Sequence, residues 1–371
     1  MNVIALNYIS RTLDGLCRHG DDAFTLTVPN LYLWFRDIIT LATTRALLGR
    51  ENPYEKDTTL IQTAWDFEAG LADIVARPMP WLTARKAFLA RGRLQLAMTE
   101  YYTSQHDVND PTAAQITRDR ANVLRRYGFE GHEIAMVEFM LVVIGVTNTA
   151  PSMFWIFCYI FARPTLVERL RAELTGVVQK SQAAGKEDTA VINITRLEAE
   201  CPLLCACYRE TLRLIAHNVS VRRVVKDTTI TQAHGRSYTL KEGVDVQIAL
   251  GIPHYLTSVW GEDVNDFNPE RFLDRKGADS DKAKKNAFIP FGGGRHYCPG
   301  RNFAFTEILA LTSAFVMGFE ASPVGKAFDE MEKTLPVFTT AVVKPVNEGE
   351  GLGIKLRRRK GWELTNWKFE S

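Results

Sequence analysis

The pattern of apolar and polar positions divides the chain into a helical first half and a later part that contains short strands. Apolar residues recur at helical spacing through most of the first half. This spacing predicts helices at Leu31–Leu48, Thr59–Val75, Pro80–Tyr102 and Ala113–Arg126. Short alternating or β-rich stretches predict strands at Ser220–Val225, Ser237–Leu240, Val244–Ala249 and Ile354–Arg359. The expected fold class is mostly α with a minor antiparallel β part.

Loop signals do not divide the chain into separate units. Charge, glycine and serine concentrate at Lys180–Asp188, Asp274–Asn286 and Asn347–Gly353, which we predict to be exposed loops. No internal repeat and no Pro/Ser-rich linker is visible. With 371 residues and 46% hydrophobic content, the chain can bury a sizeable core. We therefore expect one domain over residues 1–371.

The segment Phe139–Phe161 is apolar and long enough to suggest a membrane span. Its middle, however, carries clustered polar residues and Pro151. Such an interruption is typical of a buried helix whose distorted centre faces a cofactor. We predict a buried helix here, and a membrane span is the alternative that hydropathy alone leaves open.

Charge and cysteine content exclude several classes of protein. The chain has 45 Lys and Arg against 43 Asp and Glu, a net charge of +2, so no nucleic-acid partner is expected. Three of the six cysteines lie close together in an apolar, helix-like segment, at Cys201, Cys205 and Cys207. This favours buried thiols in a reducing compartment over a disulfide framework. No basic segment followed by an apolar one opens the chain, so neither a signal peptide nor an anchor helix is expected in it.

The strongest candidate for chemistry is one cysteine in a glycine-rich loop. Gly292, Gly293 and Gly294 allow a tight turn that can point amide groups at the sulfur of Cys298. We predict that a helix begins at Pro299 and that its positive end stabilises a thiolate. The alternatives are an inert buried thiol, or a pair with His296 forming half of a zinc site, for which the other histidines supply no matching cluster.

The run from Phe291 to Gly300 fits the pattern F-x-x-G-x-[R/H]-x-C-x-G and resembles the haem-binding loop of the cytochromes P-450. The resemblance implies the fold of that family and a haem b whose axial ligand is Cys298. It also implies that His296 meets a haem propionate, and that Phe291, Gly294 and Gly300 shape the loop.

Two further motifs resemble the same family. Glu210 and Arg213 stand at i and i+3 on a largely apolar helix, which indicates a buried ion pair, although such pairs are abundant on solvated helices. They resemble the E-x-x-R helix, and the segment 268–272 with Arg271 resembles the P-E-R-F loop. The resemblance implies a structural Glu-Arg-Arg network under the haem.

A pair of adjacent arginines follows in the same order as in the family. The resemblance implies that Arg222 or Arg223 meets a haem propionate, since a guanidinium pairs bidentately with a carboxylate. The alternative is a solvated charge, because neighbouring residues of a strand face opposite sides.

The central helix departs from the commonest family pattern, A-G-x-[D/E]-T-T. Thr147 stands at the position of the acid and Asn148 at that of the alcohol. This variant resembles the branch that includes prostacyclin synthase, the sterol 7α- and 12α-hydroxylases and similar fungal enzymes, so both hydroxylation and rearrangement remain open. Thr149 or a water could pass protons. Alternatively, these polar residues only cap backbone carbonyls of a bent helix.

The resemblance implies a fungal, microsomal haem-thiolate monooxygenase acting on a lipophilic molecule, steroid-, terpenoid- or polyketide-like, in secondary metabolism. Electrons would come from NADPH through a flavoprotein reductase, and Lys282, Lys284 and Lys285 could attract it. The alternatives are a haem-thiolate isomerase or dehydratase and a non-catalytic haem-binding protein.

The resemblance covers most of the chain but not the usual N-terminal portion, with its anchor, first strands and W-x-x-x-R helix, which we expect to be missing. Trp81 and Arg85 fit that helix signature but lie too close to the central helix. A full-length form is expected on the cytosolic face of the endoplasmic reticulum, in contact with the membrane.

Overall fold

A computed structural model describes residues 1–17, 24–181, 187–232, 235–273, 278–336 and 340–370. Its helices are α1 Asn2–Gly15, α2 Leu31–Leu48, α3 Pro53–Lys56, α4 Thr59–Ala69, α5 Leu71–Ala76, α6 Pro80–Thr83, α7 Arg85–Thr103, α8 His106–Asn109, α9 Gln115–Arg126, α10 Gly131–Thr147, α11 Thr149–Phe161, α12 Pro164–Thr175, α13 Ile194–Glu200, α14 Pro202–Ile215, α15 Thr257–Trp260, α16 Ala278–Ala287 and α17 Arg301–Gly318. Its strands are β1 Thr25–Val28, β2 Val178–Ser181, β3 Thr189–Asn193, β4 Val219–Arg223, β5 Thr228–Thr231, β6 Ser237–Leu240, β7 Asp245–Ala249, β8 Phe319–Val324, β9 Gly353–Arg358 and β10 Asn366–Glu370.

The core is built around three helices that are buried on most sides, α2, α11 and α17. One aromatic ring from each meets the other two: Phe35, Phe157 and Phe315 have ring centroids 5.3 to 5.7 Å apart in edge-on arrangements. Each ring is fully buried. Such edge-on pairs add to the stabilisation that apolar burial alone provides. The most apolar segments of the sequence therefore form the centre of the molecule, and the amphipathic helices cover them.

The strands form small sheets at the periphery. Two three-stranded sheets have the orders β1-β9-β8 and β10-β3-β2, and two hairpin-like pairs join β4 to β7 and β5 to β6. All pairs are antiparallel except β10 with β3, which is parallel. The predicted fold class, mostly α with a minor antiparallel part, is confirmed with this one parallel exception. Strands β1, β2, β3, β5, β8 and β10 were not predicted, since each is short and its partner is distant in sequence or weakly patterned.

The predicted helices agree with the structure except at their ends and at two breaks. Leu31–Leu48 has the predicted bounds, and the Asn30 side chain caps it by accepting a hydrogen bond from Leu33 N at 3.0 Å. The helix predicted at Thr59–Val75 is interrupted at Gly70, where an added Cβ would lie 2.4 Å from the Cβ of Ala87. The close approach of α7 therefore requires glycine. The helix predicted at Pro80–Tyr102 is interrupted at Ala84.

One predicted loop is wrong in part. Residues 274–277 of Asp274–Asn286 lie outside the described residues, but the remainder belongs to helix α16. The side chain of Lys284 donates a hydrogen bond to the carbonyl oxygen of Arg271 at 2.8 Å, which fixes this helix against the segment before it. A charge-rich composition did not distinguish a solvated helix from a loop. In Lys180–Asp188, residues 182–186 also lie outside the described residues, and β2 extends to Ser181.

The central apolar segment forms two consecutive helices, α10 and α11, which meet at Asn148. Pro151 has no N–H for the carbonyl of Thr147, so the ladder of helical hydrogen bonds is interrupted at this point. By length and composition Gly131–Phe161 could cross a membrane, with a mean hydropathy of 1.6. Its second half is nevertheless core: Phe154 and Phe157 are buried, and the Trp155 indole donates to the carbonyl of Val343 at 2.9 Å. These contacts favour the interpretation as a buried helix.

A buried carboxyl group joins α2 to α17. Glu307 has no exposed surface, and the hydroxyl of Thr43 donates to its two carboxyl oxygens at 3.0 and 3.2 Å. Burial raises the pKa of Glu307 to about 8, and the Thr43 hydrogen bond offsets only part of that effect. The carboxyl group is therefore neutral at pH 7. The same Thr43 lies beneath the central helix, where a Cβ added to Gly145 would be 3.4 Å from its methyl group.

This arrangement predicts a stability that falls as the pH rises. Because the pKa of Glu307 is higher in the folded chain than the ordinary value of 4.5, folding takes up a proton between about pH 4.5 and about pH 8. The free energy of unfolding should decline through this window and level off above it. In Glu307→Gln, which is neutral at every pH, that part of the decline should vanish. Urea unfolding at several pH values measures the difference, and parallel curves for the two proteins would contradict the assignment.

Candidate active site at the Cys298 loop

The loop Phe291–Gly300, here called the cysteine loop, folds as two tight turns. Gly292 and Gly294 adopt φ values of +77° and +66°, in the left-handed region where only glycine is unstrained. The N–H of Gly292 donates to the carbonyl of Ile289 at 3.1 Å, and the N–H of Cys298 donates to the carbonyl of Phe291 at 3.0 Å. These two backbone hydrogen bonds close the loop and fix the position of the cysteine backbone.

Helix α17 begins at Arg301, with Gly300 as its N-cap residue, so the prediction that Pro299 is the first helical residue is wrong. Pro299 lies in the turn that precedes the helix. The sulfur of Cys298 still lies near the helix end, since a Cβ added to Gly300 would be 3.9 Å from Sγ. The Arg301 guanidinium donates to the carbonyl of Cys298 at 3.0 Å and stacks over the ring of Tyr297.

All six cysteines lie in the described residues, and five of them are buried. Cys298 is partly exposed. Space beside Gly293 and Gly294 is open, because apart from the adjoining residues no heavy atom of the described chain lies within 4 Å of a Cβ added to either. The described residues contain no group of three His, Cys, Asp or Glu side chains placed to hold a metal ion. The loop thus offers a single sulfur donor beside open space, which fits a metal whose remaining ligands come from a cofactor and does not fit zinc.

Phe291 and His296, which were also predicted to belong to the site, differ in their exposure to solvent. Phe291 is half-buried and packs against the core. His296 is exposed in the turn Gly294–His296. Phe291 therefore fixes the loop to the protein from below, and the imidazole of His296 is free to meet a group placed above the loop.

The network predicted around Glu210 is assembled in α14 and the turn Pro269–Phe272. The Arg213 guanidinium donates to both carboxylate oxygens of Glu210, at 2.8 Å each, and Arg271 Nε donates to Oε1 at 3.2 Å. The N–H of Asn268 donates to the same oxygen at 3.0 Å. Glu210 and Arg213 have no exposed surface, and Arg271 is 7% exposed. These donors satisfy the hydrogen-bonding capacity of the buried Glu210 carboxylate, which has no access to water.

A second carboxylate, Asp263, completes the network and was not singled out as a site residue. Its two oxygens accept from Arg271 Nη1 and Nη2, each at 2.8 Å, and from the Asn268 side chain at 3.0 Å. The hydrogen bond from Asn268, followed by that from Arg271, holds the pKa of Asp263 below its ordinary value. Arg271 therefore binds the carboxylates of both Glu210 and Asp263, whereas Arg213 binds that of Glu210. The spacing of Asp263 and Asn268 around Arg271 is a local signal that could have identified both.

The network also contacts a buried histidine, which follows the adjacent arginines in the order that the family resemblance implies but to which the sequence assigned no role. His254 lies in the turn Ile252–Tyr255 and has no exposed surface. Arg213 Nη1 donates to its carbonyl oxygen at 2.7 Å. Its ring nitrogens contact the carbonyl of Ala216 and the N–H of Ile289, the residue at the start of the segment leading into the cysteine loop. Its order in the chain fits the family resemblance, but its contacts with Ala216 and Ile289 depend on partners 38 and 35 residues away and could not be predicted from it.

The two adjacent arginines lie on strand β4 and are exposed. Arg223 pairs with Asp245 of the neighbouring strand β7, with Nη1 and Oδ2 3.0 Å apart. Arg222 contacts the carbonyl of Val221 at 2.8 Å and has no carboxylate partner within the described ranges. The structure therefore distinguishes the two: the guanidinium of Arg222 is available to a further carboxylate, and that of Arg223 is already engaged.

The polar residues of the central helix lie around the break at Asn148. The hydroxyl of Thr149 donates to the carbonyl of Gly145 at 3.2 Å, and that of Ser152 donates to the carbonyl of Asn148 at 2.7 Å. Thr149 is buried, whereas Thr147 and Asn148 are half-buried. The contacts of Thr149 and Ser152 are those of residues that cap backbone carbonyls in a distorted helix. A catalytic part for Thr147, Asn148 and Thr149 stays a prediction.

Fold and site together define a class of mostly helical protein that contains a broken apolar helix and presents one partly exposed thiol from a glycine-rich loop. Comparison with known proteins agrees. The family model described as Cytochrome P450 matches residues 73–346, more than half of the chain. The chain belongs to the cytochrome P450 family.

Several relatives align over the whole chain or most of it. A cytochrome P450 monooxygenase of Gibberella zeae is 39% identical over 377 residues, which cover 100% of this chain and 70% of the relative. Cytochrome P450 monooxygenase nodJ of Hypoxylon pulicicidum is 28% identical over 374 residues, again with 100% and 70% covered. The 5-beta-cholestane-3-alpha,7-alpha-diol 12-alpha-hydroxylase of Sus scrofa is 25% identical over 330 residues, 86% of this chain and 65% of the relative. The resemblance to the fungal type of this family is confirmed.

The buried network predicts a large cost for removing its central carboxylate. In Glu210→Gln, Arg213 and Arg271 keep their charges in the interior but lose the carboxylate between them, so the free energy of unfolding should fall by about 3–5 kcal/mol. The matched control is Glu200→Gln, which breaks the exposed i,i+4 pair with Arg196 and should leave the midpoint of unfolding unchanged. Urea unfolding followed by circular dichroism measures both. Equal midpoints for the two variants would refute the proposed importance of the network.

Proposed function

We propose that this chain is a haem-thiolate monooxygenase that inserts an oxygen atom into a lipophilic small molecule. The observation that carries the proposal is the single, partly exposed thiol of Cys298, held in a closed glycine loop at the start of a buried helix. When bound, the haem would supply the oxidising chemistry. The chain would supply the sulfur ligand, the walls of the pocket and the groups that exclude or admit water. Membership of the cytochrome P450 family supports this assignment.

Three groups of this chain would hold a haem b. Cys298 would be its axial ligand, from a loop whose shape depends on Phe291, Gly294 and Gly300. His296, exposed beside the cysteine, would meet one propionate. Arg222 would meet a propionate through its available guanidinium, in preference to Arg223, which is engaged with Asp245. The Glu210–Arg213–Arg271 network would keep the proximal side of the protein rigid beneath the cofactor.

An apolar substrate is supported by the surface of the central helix. Met136, Val137 and Ile144 of α10 are 45% to 61% exposed, on a helix whose other face is core. A helix normally buries such side chains, so this face is suited to an apolar occupant. The relative named as a cholestane-diol 12-alpha-hydroxylase supports a steroid-like substrate. A terpenoid- or polyketide-like substrate in secondary metabolism belongs to the same proposal.

Proton delivery at the break in α10 and α11 would differ from that in family members with an acid and an alcohol there. Thr149 uses its proton on the carbonyl of Gly145, whereas the half-buried side chains of Thr147 and Asn148 have no hydrogen-bond partner in the described parts of the chain. We propose that the amide of Asn148 orients a water at this position. Because Asn148 cannot itself donate a proton as an acid does, an isomerase or dehydratase reaction is the second candidate.

The electron donor would be a flavoprotein reductase that draws on NADPH. The surface next to the cysteine loop has a cavity of about 640 Å³, whose charged lining residues are Arg209, Arg301 and one acid, Glu198. Lys282 and Lys285, on helix α16, add positive charge to the segment that leads to the loop. Such a basic surface would attract the acidic face of a reductase.

A membrane surface would be a further partner, in the endoplasmic reticulum and on its cytosolic face. The segment around α5 and α6 exposes large apolar side chains: Val75, Met79, Trp81 and Leu82 are 49% to 69% exposed. Arg77 and Arg85 stand beside them. An exposed tryptophan among apolar and basic residues is typical of a segment that rests in the membrane interface. We propose that one catalytic domain, residues 1–371, contacts the membrane here.

The haem-thiolate assignment predicts a spectroscopic loss. The full chain loaded with haem, reduced and treated with carbon monoxide should show the thiolate-type Soret band, and Cys298→Ala should lose it because no sulfur then binds the iron. The control is Cys201→Ala, since burial raises the pKa of the Cys201 thiol to about 12 and keeps it inert. A thiolate band that persists in Cys298→Ala would remove the foundation of the proposal.

Cosubstrate dependence separates the two candidate reactions. A monooxygenase should form its product only with NADPH, a reductase and dioxygen, because two electrons are needed to reduce the second oxygen atom to water. An isomerase or dehydratase should convert a hydroperoxide or endoperoxide with none of the three. Product formation measured with each component left out in turn decides between them, and conversion without NADPH would favour the second candidate.

A further inference from the structure

His254 makes three buried polar contacts that connect separate parts of the site. Its carbonyl oxygen accepts from Arg213 Nη1 at 2.7 Å. Its Nδ1 lies 3.1 Å from the carbonyl oxygen of Ala216, just past the end of α14, and its Nε2 lies 3.1 Å from the N–H of Ile289. The ring also contacts Phe288, with centroids 5.9 Å apart. No part of His254 is exposed.

The two ring contacts fix the tautomer. A backbone N–H can only donate, so Nε2 must accept from Ile289 and carries no proton. Nδ1 therefore carries the proton and donates to the carbonyl of Ala216. Burial lowers the pKa of His254 to about 4, which keeps the imidazole in this neutral form at physiological pH. A doubly protonated ring would place two N–H groups against each other at Ile289.

A continuous path of hydrogen bonds leads from this ring to the cysteine. Ile289 donates to Nε2 of His254, and the carbonyl of Ile289 accepts from Gly292 at 3.1 Å. The carbonyl of Phe291 accepts from the N–H of Cys298 at 3.0 Å. At the other end, Arg213 joins His254 to the buried carboxylate of Glu210. The imidazole of His254 thus holds the segment that leads into the loop carrying Cys298, and Arg213 joins the backbone of His254 to the ion network.

We propose that His254 is a positioning residue for the haem-thiolate site: its Nε2 holds Ile289 and so fixes the direction in which the cysteine loop presents its sulfur to the haem iron. The inference rests on the proposed haem-thiolate function and adds to it a residue that touches neither haem nor substrate. The Glu210 network then acts on the sulfur through a defined contact, and not only through general stability of the fold.

Three substitutions separate the two ring contacts. Gln carries its amide at the position of Nε2 and can accept from Ile289, whereas Asn carries its amide at the position of Nδ1 and can only donate to Ala216. Phe keeps the ring and loses both contacts. His217→Gln is the matched control, since His217 stacks on Tyr255 at 5.4 Å and its described contacts do not include the cysteine loop.

The first measurement is the reduced, carbon monoxide-bound spectrum of the haem-loaded full chain. His254→Gln and His217→Gln should keep the wild-type fraction of the thiolate-type band. His254→Asn and His254→Phe should raise the ratio of non-thiolate to thiolate haem by about fivefold, the effect of one lost neutral hydrogen bond. A wild-type spectrum in the Asn and Phe variants, or an equal loss in the Gln variant, would overturn the proposal.

The second measurement needs no haem. Amide hydrogen exchange at Ile289, resolved by fragmentation mass spectrometry in the apo chain, should be slow in the wild type and in His254→Gln, and about fivefold faster in His254→Asn. If a variant does not fold, the wild type alone still tests the contact: fast exchange at Ile289 would overturn it. A wild-type protein that shows slow exchange but no thiolate band would instead defeat the proposed function and leave the anchor in place.

Discussion

The structure depends on one buried interaction, the carboxylate of Glu210 held between the guanidinium groups of Arg213 and Arg271. Three charges in an apolar interior are stable only when each hydrogen bond is made. The remaining hydrogen bonds of these three side chains are made with the N–H of Asn268, the carboxylate of Asp263 and the carbonyl of His254. Segments far apart in sequence are thereby fixed to one another, and His254 connects them to Ile289 at the entry to the loop that carries Cys298.

Around this point the molecule combines two kinds of rigidity. Apolar packing is the main contact among α2, α11 and α17, to which the hydrogen bond between Thr43 and Glu307 adds one polar contact. The cysteine loop has few apolar contacts of its own and is fixed by backbone hydrogen bonds, by positive φ at Gly292 and Gly294, and by the imidazole of His254. Directional bonds are suited to a loop that must hold one atom in one direction. The buried, neutral Glu307 links these two regions, because it lies on the helix that follows the cysteine.

The buried Glu210 network contrasts with the exposed residues that we assign to the site. Glu210 and Arg213 have no exposed surface and Arg271 is nearly buried, while Arg222, His296 and apolar residues of α10 are exposed. This asymmetry is what a site for a large, flat, amphipathic cofactor requires, with anionic groups at one edge and an apolar body. The chain spans 70% of the length of the Gibberella zeae and Hypoxylon pulicicidum relatives, and in the proposed function it would supply one wall, the sulfur and the cations of the site.

The sequence by itself determined the chemistry of this protein, because that chemistry depends on residues close together in the chain. The glycines around Cys298, the spacing of Glu210 and Arg213 and the periodic helix of Leu31–Leu48 are local patterns, and each could be predicted. Tertiary structure decided the rest. The side-chain contacts of His254, the pairing of Arg223 with Asp245 and the neutral state of Glu307 depend on partners between 22 and more than two hundred residues away. Burial and hydrogen bonding act through space, so no local pattern encodes them.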